Sequence, residues 1–248
     1  MKLSTSRLGL ACLLALAGLV APLLSEEEPH VIGAPRPRAD SPAYASVKDV
    51  AGLPRVLIVG DSISIGYTLT VRDQLRGVAN IHRPAENCGD TKRGLERLDA
   101  WLGMGTWDLI HFNFGLHDIR YVDPHGKYVS PDNGVQATSP ADYERNLRRL
   151  VRRLKATGAT LVFATTTPVP GGAAGRLEPD AIRYNEIAIE VMQDEGVAVN
   201  DLFILASAIQ AETQLKQNVH FTPQGYDLLA GQVTESIVKA LGLRPGPR

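Results

Sequence analysis

Cysteine is nearly missing from this sequence: two in 248 residues, Cys12 and Cys88. Cys12 sits in an apolar N-terminal stretch, so without that stretch Cys88 has no intramolecular partner and the fold must rest on packing alone. Cys88 itself reads either as a nucleophile or as a small half-buried residue beside a turn glycine. A surplus of basic charge is also absent. Lys and Arg total 26 against 27 for Asp and Glu, a formal charge of −1, so no nucleic-acid partner is expected. The segment from Gly60 to Gly66 lacks the Lys-Ser/Thr pair of a phosphate-binding loop. His111, His117, Asp118, Asp123 and His125 have metal-binding side chains, but no spacing places two of them on one helix face. Neither a metal nor a cofactor is expected. Internal repeats and low-complexity tracts are absent as well.

What is present suits one globular domain. Hydrophobic residues make up 44% and charged residues 21%, and the length fits a single α/β domain of roughly 150 to 250 residues with extra sequence at its ends. Lys2 and Arg7 precede 18 uncharged residues, Leu8 to Ser25, in which eight of the seventeen up to Leu24 are leucine. This reads as a secretory signal over residues 1–25. A membrane anchor is the competing reading, since about 20 apolar residues span a bilayer. Gly9, Gly18, Pro22 and the extreme N-terminal position favour removal, which would export the protein with no stable membrane insertion. Losing Lys2 and Arg7 would take the charge from −1 to −3. Residues 26–52 carry four prolines and three consecutive glutamates and are expected to form a flexible leader. The domain is expected over 53–243, with a tail at 244–248.

Within that domain short apolar runs alternate with helical patterns, the pattern of a parallel sheet covered by helices. Strands are expected at Arg55–Val59, Asn80–Arg83, Trp107–Phe114, Ala159–Thr165 and Val197–Leu202. Helices are expected at Gly66–Val78, Lys92–Trp101, from Ser139 to about Ala156, at Pro179–Asp194, and after Thr222. Ser139-Pro140 and Thr222-Pro223 are helix starts: the hydroxyl accepts from an orphan N–H, and proline suits the first helical position. Residues 116–138 form an unusually long, aperiodic connection, which suggests the border of a site.

Ligands of an open parallel sheet bind at the carboxyl ends of its strands. Those ends deliver Gly60-Asp61-Ser62, then Asn87-Cys88-Gly89, then Gly115, His117 and Asp118, and the last helix is preceded by Val219-His220-Phe221. Ser62 stands at a strand-to-helix turn, where it is either a cap or a nucleophile whose developing oxyanion meets backbone N–H groups. Serine needs a base to take its proton, and His220 is the best-placed one.

These segments, in this order across about residues 55–242, resemble the SGNH, or GDSL-type, hydrolase superfamily. The resemblance implies a flavodoxin-like three-layer α/β/α sandwich with a five-stranded parallel sheet, and ester hydrolysis through an acyl-enzyme. Carried over by position, Ser62 is the nucleophile and His220 the base, and the N–H groups of Ser62 and Gly89 bind the oxyanion. Two positions depart from the family pattern. His117 replaces the usual Asn, and as a neutral imidazole it can still donate one hydrogen bond to the oxyanion. Gln217 replaces the usual acid three residues before the histidine, leaving a Ser-His dyad with Gln217, a backbone carbonyl, Asp201 or Asp118 to orient it.

The expected substrate is a small acyl ester, with O-acetyl groups on carbohydrate first in line. Tyr121, His125 and Tyr128 either contact a sugar ring or pack the loop. The alternatives are an esterase or lipase for longer acyl chains, and a binding module of the same fold with little catalysis.

Overall fold

The computed structural model describes residues 41–243; the expected signal, the leader up to residue 40 and the tail lie outside them. Apolar β-branched runs with little alternation make strands that are buried on both faces. Strands β1 (Arg55–Val59), β2 (Asn80–His82) and β3 (Leu109–Phe112) form the first half of the sheet. A separate antiparallel pair, β4 (Tyr121–Val122) and β5 (Val135–Gln136), lies in the long connection. Strands β6 (Thr160–Ala164) and β7 (Ala198–Asn200) complete the main sheet in the order β2-β1-β3-β6-β7, every pair parallel. Counting only its own five strands, this is the flavodoxin-like order 2-1-3-4-5, whose switch point lies between β1 and β3. The α/β fold is therefore that expected.

The helices are α1 (Ser62–Gln74), α2 (Thr91–Leu102), α3 (Pro140–Lys155), α4 (Glu178–Asp194), α5 (Leu202–Thr213) and α6 (Pro223–Ala240). Asp61, Asp90, Ser139, Asp201 and Thr222 each cap a helix by accepting from a first-turn N–H. Capping by Asp61 starts α1 at Ser62, four residues before the periodicity suggested. Helix α5 has no counterpart among the expected elements. Its sequence is apolar almost all round, so it lacks the stripe by which the other helices declare themselves.

The domain also begins earlier than Leu53. Asn80 Oδ1 accepts from the Val50 N–H at 2.9 Å, and its Nδ2 donates to the carbonyls of Val50 and Leu53. Asp49 pairs with Arg55 and His82, Ala43 is buried, and Arg83 lies over the Tyr44 ring. Residues 41–52, expected to be leader, are thus pinned to the β1–β2 edge by contacts that proline content does not reveal.

The chain packs most tightly where glycine lets helices approach. A Cβ on Gly66 in α1 would lie 2.2 Å from the Tyr226 ring of α6, and one on Gly94 in α2 would lie 2.9 Å from Phe114. The first contact joins α1, which begins at Ser62, to α6, which follows the His220 loop; the second seats α2 on the end of β3.

Candidate active site

Ser62 follows β1 at the switch point, as the first residue of α1. Its N–H is one of the first-turn donors that a helix leaves without an internal acceptor. The neighbouring loop is tied to this turn, since the Cys88 N–H donates to the Gly60 carbonyl at 3.3 Å. Gly89 follows with φ 67°, in the left-handed region that suits glycine. Its N–H donates to Asn87 Oδ1 at 2.9 Å. Cys88 is fully buried and its thiol is pushed up to about 12, chiefly by that burial, so it packs and does not ionise near neutrality.

His220 arrives on the loop between α5 and α6. The loop is closed by Leu215 N–H to the His220 carbonyl at 2.9 Å and by Thr222 N–H to the Thr213 carbonyl at 2.7 Å. Gln214 Nε2 holds the carbonyls of Pro168 and Val219. Val219 and Phe221 are buried on either side of His220. The structure brings the two expected residues together: His220 Nε2 lies 2.8 Å from Ser62 Oγ.

The orienting group is a correction. His220 Nδ1 lies 2.7 Å from Asn218 Oδ1, and the same oxygen accepts the His220 backbone N–H at 3.0 Å. Because a backbone N–H can only donate, the Asn218 atom facing it must be the oxygen. The proton of the neutral ring therefore sits on Nδ1, and Nε2 is the acceptor that faces Ser62. Gln217, the residue expected in this role, instead takes φ 52° in the turn and lays its side chain against Gly172. Asp118 and Asp201 are engaged elsewhere. Asp118 accepts from the N–H and hydroxyl of Thr91, and Asp201 accepts from Thr165 Oγ1 and caps α5. Asn218 closes an Asx turn onto the His220 N–H, and an Asn two residues before the histidine is the only trace of it in the sequence.

His117 follows β3 in the turn Gly115-Leu116-His117-Asp118 and is half-buried. Its pKa falls to about 3, first because burial disfavours the cation and then because Arg120, Arg176, His220 and Arg93 add positive charge. The ring is neutral at any ordinary pH and offers one N–H. Asp61, beneath Ser62, is buried, and loss of solvation raises its pKa despite the Ile63 N–H and the positive charge of Arg176 and Arg83. Arg83 is itself buried and donates to Ser64 Oγ, Thr68 Oγ1 and the Gly60 carbonyl, bracing α1 and the turn from below.

The other site-border residues divide. Tyr128 is exposed and one face of its ring is covered by the Arg120 guanidinium at 4.1 Å. Tyr121 is half-buried in β4, and His125 lies in an exposed turn whose N–H donates to Asp123. His111 faces Asn200 inside the sheet, 3.2 Å away. Among the described residues no three His, Cys, Asp or Glu side chains gather in a way that could hold a metal ion.

With this geometry in view the kinship is direct. Residues 58–228 match the model of the GDSL-like lipase/acylhydrolase family. The chain belongs to that family and is accordingly an ester hydrolase. Solved structures of similar fold include a lipase/acylhydrolase from Enterococcus faecalis, 19% identical with TM-score 0.62, covering 79% of this chain and 100% of its own. An acetyl xylan esterase is 14% identical with TM-score 0.61, covering 74% and 99%. An acetylxylan esterase from Geobacillus stearothermophilus is 15% identical with TM-score 0.57, covering 77% and 95%. No curated protein matches the chain.

Proposed function

We propose that the protein is an exported serine esterase that removes small acyl groups, O-acetyl first among them, from carbohydrate. The observation that carries the reading is the 2.8 Å contact of Ser62 Oγ with His220 Nε2, with Nδ1 anchored on Asn218. Ser62 Oγ attacks the ester carbon while its proton passes to Nε2. The carbonyl electron pair moves onto oxygen, toward the N–H groups of Ser62 and Gly89 and the His117 ring. An oxyanion competes well with Asn87 for the Gly89 N–H, since a charged acceptor makes a hydrogen bond roughly twice as strong as a neutral one. The C–O bond to the sugar then breaks, and the leaving oxygen takes the proton from Nε2. Water repeats the sequence on the acyl-enzyme and frees the acid and Ser62.

Asn218 makes this a Ser-His-Asn arrangement. In a serine-protease triad, an amide in place of the acid costs about 10⁴-fold because the ring adopts the wrong tautomer. Here the backbone N–H of His220 turns the amide oxygen toward Nδ1, which avoids that fault and leaves only the missing negative charge. The acetyl preference draws support from the two acetylxylan esterases of similar fold. Export rests on Lys2, Arg7 and the leucine-rich segment, and no helix among the described residues is long and apolar enough to cross a membrane.

One observation favours a second reading, turnover of longer acyl chains. A groove of about 490 Å³ borders the His220 loop, with Val169, Ile182, Phe203 and Leu215 in its walls beside Glu178 and Lys216. Assay of acetyl and octanoyl esters with wild type and Ser62→Ala tests both readings, together with labelling by a fluorophosphonate. Acetyl turnover above octanoyl, with labelling and turnover abolished in Ser62→Ala, is expected. Faster octanoyl turnover would replace the acetyl reading, and a folded wild type that neither labels nor turns over would make the chain a binding module.

A further inference from the structure

Two arginines crowd the turn that carries His117. Arg176 Nε donates to the Leu116 carbonyl at 2.8 Å, and Arg120 Nε donates to the adjacent His117 carbonyl at 3.1 Å. Both are half-buried. With Nε committed to the backbone, each guanidinium keeps its terminal nitrogens for other acceptors. Those of Arg176 make one long contact, Nη1 to the Ala174 carbonyl at 3.5 Å, and Arg120 rests against Tyr128.

Most arginines on α2 and α3 have an acid, whereas Arg83, buried beneath the Ser62 turn, has hydroxyls and backbone carbonyls. Arg93 and Arg97 share Glu86, Arg148 bridges Glu144 and Asp194, and Arg153 reaches Asp99. Among the described residues neither Arg120 nor Arg176 has a carboxylate within ion-pair distance. The negative groups they feel, Asp61 for Arg176 and Asp90 and Asp118 for Arg120, act only through space. Burial and mutual repulsion both work against the Arg120 charge, whose pKa falls to about 10; burial takes that of Arg176 to about 10. Two like charges held on consecutive carbonyls, in the turn that carries the expected oxyanion donor, form a cationic pair with no carboxylate partner among the described residues. Guanidinium matches carboxylate in shape as well as charge.

We propose that Arg120 and Arg176 form a substrate subsite for a carboxylate, so that the preferred ester carries a negative charge close to the acyl group. This rests on the esterase reading of Ser62 and His220 and names the substrate class for that site. The carboxylate belongs either to a uronic-acid residue on the sugar side or to a dicarboxylic acyl group.

The test compares kcat/KM for O-acetylated uronate oligosaccharides with that for their neutral methyl esters, and for a succinyl ester with the acetyl ester of the same sugar alcohol. Wild type is expected to favour the charged member of at least one pair by about tenfold or more, the scale of a charge-assisted hydrogen bond. The pair that shows the preference identifies which side bears the carboxylate. In Arg120→Gln and Arg176→Gln the charged-to-neutral ratio falls toward one, mostly through KM. A purely structural role would lower both members together and leave the ratio unchanged, which overturns the subsite. Equal rates for charged and neutral esters in wild type overturn it too, while leaving the esterase intact. A wild type inactive on every ester and unlabelled by fluorophosphonate would instead sink the esterase reading beneath it.

Discussion

A single oxygen, Oδ1 of Asn218, accepts both the backbone N–H and the ring Nδ1 of His220, at 3.0 and 2.7 Å. Backbone geometry thereby sets the chemistry of a side chain. The amide cannot flip without opposing two donors, so the neutral ring presents its unprotonated nitrogen to Ser62.

Removing that oxygen should cost rate with little loss of fold. Asn218→Leu is expected to lower kcat by roughly 10²- to 10⁴-fold, the contribution of a well-held general base, with KM nearly unchanged. Asn218→Asp keeps the oxygen and adds charge, so its kcat should equal or exceed wild type. Steady-state kinetics on one acetyl ester decides it, and a fully active Asn218→Leu would show that another group holds the ring.

His117 offers a second substitution with two readouts. His117→Ala should lose about 10²- to 10³-fold in kcat, as expected when one oxyanion donor is removed, whereas His117→Asn should recover most of it through the amide N–H. Stability responds separately. The folded pKa of about 3 lies below the 6.5 of a free imidazole, so the unfolded chain binds a proton that the native ring refuses. Stability from this residue is therefore intact above pH 6.5 and lost as pH falls toward 3. Urea denaturation of His117→Asn between pH 7 and pH 4 should show a shallower acid loss than wild type.

Asp118 carries the opposite sign. Burial raises its pKa from 3.8 to about 7, against the hydrogen bonds from Thr91. The native carboxyl then holds a proton through a range where the unfolded one has released it, so its contribution favours the folded state below pH 4 and declines as pH climbs to 7. Asp118→Asn cannot ionise, and its stability relative to wild type should rise between pH 4 and pH 7. A constant difference across that range would show that Asp118 is not raised.

Gly66→Ala tests the packing behind the site. The added methyl would lie 2.2 Å from the Tyr226 ring, and overpacking of this kind costs about 1 to 3 kcal/mol. A lower denaturation midpoint is expected, with the slope against denaturant unchanged. Gly231 in α6 meets nothing within 4 Å, so Gly231→Ala should be neutral or stabilising and serves as the comparison.

Much of the fold could be read before any coordinates. Strand β1 has the bounds its apolar run suggested, and Ser139-Pro140 and Thr222-Pro223 start α3 and α6 because a cap is a local device. The misreadings share a cause. Helix α5 hides because its exposed face carries apolar residues too, Ile204, Ala208 and Ala211, and residues 41–52 look like leader because their anchors, Asn80, Arg83 and His82, are contributed by distant sequence.

The same division runs through the site. Sequence alone pointed to Ser62 and His220 at one rim, where they meet, because strand ends and capping residues are encoded within a few positions. Tertiary structure decided that Asn218, not Gln217, holds the imidazole, since a turn with φ 52° at residue 217 rotates that side chain away toward Gly172. It also decided that Arg120 and Arg176, 56 residues apart in the chain, stand on neighbouring carbonyls. A hydrogen bond is directional over about 3 Å, and sequence spacing carries no record of direction.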